Sequence, residues 1–219
     1  MTHVLAFSET MIRLLKLGVA TGFFVVAVTI PLMAQDRLPP IPPEKQTPEQ
    51  RKAAEAFRVN RKQDVFGPFV PLFRSPEVML RAMAMGDYLR YRTVFPTKLN
   101  ELIILITARH FTQQYEWYVH YPIALKEGLA RDVADAVADG RRPAGMSADE
   151  ELIHDFCTEL LRNYSVSDPT YARAIARWGE QGTVEMVGVV AYYTFQSMVL
   201  NTARTPVPPG APALVPYPK

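Results

Sequence analysis

One cysteine, Cys157, is present in 219 residues. No internal disulfide can form, so the fold has to be held by its core rather than by a disulfide framework. An excess of one charge sign is also missing. Lys and Arg number 24 against 22 Asp and Glu, a formal net charge of +2. That balance gives no electrostatic basis for binding nucleic acid or an anionic membrane surface. Alternating strand patterns are absent too. Val184–Val190 tempts a strand reading, but the apolar run continues to Ala203, too long for one strand. No internal repeat aligns. What the chain does have is apolar material, 48% of its residues, enough for a core in a single domain.

The N-terminus has the layout of an export signal. Arg13 and Lys16 precede Leu17–Ala34, which carries no charged residue, and polarity returns at Gln35–Asp36. Cleavage after Ala34 is the expectation, giving an exported (periplasmic or secreted) protein with no membrane association afterwards. The competing reading is an uncleaved anchor, since the run is at the short end of the roughly 17–25 residues that cross a bilayer. Loss of residues 1–34 removes Arg13, Lys16 and Glu9 and leaves the remainder still closer to neutral.

Two proline-rich stretches bracket the domain. Residues 35–46 hold Pro39, Pro40, Pro42 and Pro43 and read as an extended, mobile linker. Residues 205–219 form a second arm with six prolines, from Pro206 to Pro218. Here disorder and wrapping around a neighbouring subunit both stand, because Leu214, Val215 and Tyr217 give the arm something to bury. Between them, residues 47–204 read as helical throughout. Thr47-Pro48-Glu49-Gln50 is an N-cap, a first-turn proline and a capping-box partner. Ser75-Pro76-Glu77 repeats the device, and Ser147 with Glu150 forms another box. The pattern predicts an all-α bundle of about seven helices.

Glu101 stands near the start of the apolar segment Leu99–Ile106. Glu116 and His120 are four apart, so on the next helix they share a face. A short turn, Phe111–Gln114, would bring the two helices back antiparallel and let the three side chains converge. Carboxylates and histidine are the groups that move protons near neutral pH. A structural pairing of Glu101 with His120 that ties two helices together is the other reading. A metal reading of the same three residues lacks any spacing as specific as a known zinc motif, so no metal is expected.

The stretch Leu102–His110, followed by Tyr115-Glu116-Trp117, His120, Ala124 and Gly128, resembles the carboxymuconolactone decarboxylase family, which is related to the alkylhydroperoxidase D-like proteins. Phe66-Gly67-Pro68-Phe69, Tyr88-Leu89-Arg90-Tyr91 and Tyr192-Tyr193 extend the likeness over roughly residues 65–204. The resemblance implies an alkylhydroperoxidase D-like helical fold and a ring-like homo-oligomer. Hydroperoxidase-type members carry a cysteine pair where this chain has Gln113 and Glu116. A thiol peroxidase needs a thiolate and a second thiol to resolve it, so that activity is not expected here.

The decarboxylase-type members imply a cofactor-free lyase or isomerase acting on a small unsaturated carboxylated or lactone compound. On that reading Glu101, Glu116 and His120 are the catalytic residues, with His120 as proton donor. Arg109, Gln113 and Tyr115 are the substrate-binding residues. Arg109 would grip a carboxylate, unless it satisfies carbonyls at its helix end. Gln113 would donate a hydrogen bond where a thiol otherwise sits. A non-catalytic oligomeric binding or structural protein on the same scaffold is the alternative.

Overall fold

Every residue from Leu99 to Arg109 is buried, and that run fixes the architecture. A helix that is apolar all round has to sit inside the protein, so the others gather around it. The computed structural model describes residues 35–211 and 213–216. The expected signal segment and Tyr217 lie outside the described residues. Among those described the chain is all-α, with no strand and eight helices: α1 (Pro48–Arg61), α2 (Phe69–Leu72), α3 (Pro76–Tyr91), α4 (Thr97–His110), α5 (Gln114–Lys126), α6 (Arg131–Ala138), α7 (Ala148–Asn163) and α8 (Asp168–Ala203). The central helix α4 packs on α5, α7, α8, α6 and α3.

Eight helices agree with the expected bundle of about seven. Phe69–Leu72 is a single turn, and α8 is broken within its length. Gly179 has φ 65° and ψ −172° inside it, a conformation that residues with a Cβ avoid, so the axis breaks there. The two expected segments, Asp168–Trp178 and Val184–Ala203, are its halves.

Side-chain caps set the starts of α1, α5 and α7. Thr47 and Gln50 form a complete capping box, as do Ser147 and Glu150. Ser75 departs from expectation. It precedes α3 without any side-chain capping bond, and the start of α3 rests on Pro76 in the first turn.

The linker, expected to be extended and mobile, forms one 3-10 turn at Pro43–Lys45 and is held down. Arg37 N–H donates to the Ala203 carbonyl at 2.7 Å, and Arg74 Nη2 donates to the Pro39 carbonyl at 2.6 Å. The C-terminal arm also packs on its own domain. Gln114 exchanges two hydrogen bonds with the Leu214 backbone, at 2.9 and 2.7 Å, and the Leu214 side chain is buried. Arg109 Nη1 donates to the Val215 carbonyl at 2.6 Å.

Candidate functional site

The turn between α4 and α5 builds the site. Thr112 takes a left-handed conformation (φ 47°), and Gln113 N–H closes the turn on the Ala108 carbonyl at 2.8 Å. The Gln113 side chain then caps α5 by accepting from Glu116 N–H at 2.9 Å. This reversal lays α5 against α4 and aims Glu116 and His120 at Glu101.

The three meet in the core. His120 Nδ1 lies 2.6 Å from Glu101 Oε2, and His120 Nε2 lies 3.3 Å from Glu116 Oε2. Their residues are 2%, 1% and 3% exposed, so the imidazole and both carboxylates are out of water. The Tyr193 ring stands edge-on to the imidazole at 5.1 Å, and Arg90 Nε approaches Glu101 Oε1 to 4.0 Å. Burial by itself pushes the His120 pKa down. The hydrogen bonds to Glu101 and Glu116, and their charges, outweigh it and hold the imidazole above its usual value. The two carboxylates therefore favour the charged form of the ring, with Nδ1 hydrogen-bonded to Glu101 and Nε2 close to Glu116.

A cavity of about 50 Å³ opens beside this triad, lined by Glu116, His120, Tyr115, Arg61, Arg90 and Gln196 among others. That is room for a few water molecules, each needing at least about 10–15 Å³. Three buried polar atoms on the lining residues, Glu116 Oε1, Arg61 Nε and Gln196 Oε1, have no protein partner. Two acceptors and a donor of this kind suit a water or the polar end of a small ligand.

Of the six residues expected at the site, Glu101, Glu116 and His120 come together and Tyr115 lines the same cavity. Gln113 does not reach it. Its side chain is occupied by the helix cap and by the bond from its Nε2 to Asn201 Oδ1 at 3.1 Å. Arg109 does not line it either, and holds the C-terminal arm instead. Arg61 and Arg90 are the cations that do line it, from α1 and α3. Arg61 is anchored by Asp87 at 2.8 Å and lies over the Phe69 ring. Neither arginine is marked in the sequence as facing this cavity.

Cys157 is fully buried in α7, and burial pushes its thiol far above the ordinary range. Among the described residues no group of three or more His, Cys, Asp or Glu side chains is arranged to hold a metal ion. No protein-family model matches the chain, and no curated protein matches it.

Proposed function

We propose that the protein is a carboxymuconolactone decarboxylase-like lyase or isomerase that works by proton transfer on a small unsaturated carboxylated or lactone compound. The observation that supports this reading is the buried Glu101–His120–Glu116 array beside a small cavity that carries unpaired polar atoms. In a decarboxylation the bond to the departing carboxylate breaks, carbon dioxide leaves and the electron pair enters the unsaturated system. His120 then delivers its proton to carbon and is recharged from solvent. Glu101 and Glu116 hold the imidazolium and fix its orientation. Arg61 and Arg90 replace Arg109 as the groups best placed to face a substrate carboxylate or the developing dienolate. The cavity is water-sized, so a lactone acid enters only if its lining moves. The 62–68 segment supplies one wall through Phe66 and Pro68.

That same small volume favours the second reading, a non-catalytic oligomeric binding or structural protein whose buried triad ties α4 to α5. The self-assembly part of both readings is supported by apolar side chains left exposed along α8, namely Val184, Val187, Phe195 and Met198. Export remains part of the proposal on the sequence layout of residues 1–34. The deciding experiment is a turnover screen of the protein against small unsaturated acids and lactones, with Glu101→Gln and His120→Gln alongside. Carbon dioxide release or isomerisation lost in both folded variants supports the lyase. Turnover that persists in them refutes the catalytic roles, and no turnover by the parent with any compound favours the structural reading.

A further inference from the structure

On the other side of α4 lies a cleft of about 320 Å³, formed by the C-terminal end of α4, the loop after α6 and one face of α7. It is at the lower end of the roughly 300–1,000 Å³ typical of small-molecule sites. Its lining is unusually cationic: Arg109, Arg141, Arg142 and Arg162, with His110 and His154. Two carboxylates, Asp155 and Glu159, also line it, and both are already committed. Asp155 is shared between Arg142 and Arg173, the latter at 3.1 Å from outside the cleft. Glu159 accepts from Ser167 N–H and from Thr170 Oγ1, each at 2.7 Å, at the start of α8.

Arg142 is bound to Asp155 and Arg109 to the Val215 carbonyl, whereas the other two guanidiniums are less committed. Arg141 is paired only with Asp139 in an exposed contact, which holds it weakly. Arg162 has no hydrogen bond or ion pair among the described residues. The field it creates is felt by its neighbours. Burial and then the charge of Arg162 lower the His110 pKa, and burial and then Arg142 lower that of His154. Both imidazoles are therefore neutral near pH 7, and each keeps one N–H to donate.

We propose that this cleft binds a compact multivalent oxyanion, a phosphate or a phosphate monoester, held by Arg141, Arg142 and Arg162 with N–H groups of His110 and His154. Guanidinium forks match the oxygen spacing of such anions, and the volume exceeds a bare phosphate, leaving space for a small ester group. The site is separate from the Glu101–His120–Glu116 array and does not depend on the function proposed above.

Calorimetric titration of the full chain with inorganic phosphate and with glycerol phosphate, at constant ionic strength set by sodium chloride, tests it. Saturable binding is expected, weakened at least tenfold by Arg162→Gln and by Arg141→Gln and unchanged by Arg81→Gln on α3, outside the cleft. Tighter binding of glycerol phosphate identifies an ester as the ligand, and tighter binding of inorganic phosphate identifies the free anion. Absence of saturable binding, or equal binding by the Arg162→Gln variant, overturns the proposal. So does a heat signal that chloride reproduces at the same ionic strength.

Discussion

Gly86 on α3 lies directly under the hydroxyl end of Tyr192 on α8. A methyl group added at Gly86 would stand 2.3 Å from Tyr192 Oη and 2.7 Å from Cζ. Tyr192 is buried, and its hydroxyl accepts a 2.7 Å hydrogen bond from Gln196 Nε2, so the ring has little freedom to retreat. In an ordinary helix interior Gly→Ala stabilises by about 0.5–1 kcal/mol. Here the sign should invert, because overpacking a filled core costs about 1–3 kcal/mol. Denaturant unfolding of Gly86→Ala should show that loss, partly relieved when Tyr192→Phe removes the hydroxyl. An unchanged or higher midpoint for Gly86→Ala alone would mean that the α3–α8 contact is looser than described.

Cys157 should be chemically silent. Its thiol is wholly buried, and burial raises its pKa so far that thiolate is scarce at neutral pH. Native protein should react with a disulfide reagent only as fast as it opens, and reaction should become rapid in denaturant. Thiol-dependent hydroperoxide reduction should not be detected, and Cys157→Ser should behave like the parent. Peroxide turnover that disappears in that variant would contradict this assignment.

The C-terminal arm is held by the Gln114 and Arg109 side chains and by burial of Leu214. Gln114 accepts from Leu214 N–H and donates to the Leu214 carbonyl, the way a neighbouring strand would, and the buried Leu214 side chain completes the clasp. Gln114→Ala removes both bonds, each contributing about 0.5–1.5 kcal/mol net. Limited proteolysis should then cut within residues 205–211 faster, while the helical content seen by circular dichroism stays the same. Equal cutting of parent and variant would show that Leu214 packing and the Arg109–Val215 bond hold the arm without Gln114.

The helical reading of the chain was carried by local signals. Capping boxes at Thr47 and Ser147, the apolar run of α4 and the four-residue spacing of Glu116 and His120 all act within a few residues, so they are visible in sequence. The convergence of Glu101 with that pair followed from a short turn. Arg61 and Arg90 were not legible as site residues. They come from α1 and α3, and on a single helix a charged residue facing solvent and one facing a polar cavity look alike. The place of Arg109 is hidden in sequence for a related reason. Its role is set by a contact with Val215, more than a hundred residues later in the chain.

The charge state of His120 separates the readings of the buried triad. Glu101 and Glu116 raise the imidazole pKa in the folded protein despite its burial, whereas in the unfolded chain it returns to about 6.5. A raised folded value means that the stabilisation is fully present below the unfolded value and is lost as pH rises through the folded one. The parent should therefore lose stability on the alkaline side, in a window that opens near pH 6.5. His120→Gln should lack that component, and Glu101→Gln should move it to lower pH. Removing either partner leaves a buried charge uncompensated, at a cost of about 3–5 kcal/mol. Melting curves across pH, with nitrogen NMR of the imidazole, measure both effects. In the lyase reading the folded fraction of either variant is also inactive, with rate losses that do not add because the residues move one proton together. In the structural reading the stability loss is the whole effect. If NMR finds His120 neutral at pH 7 and the alkaline window is missing, the ion-pair assignment fails, and the proton-donor role fails with it.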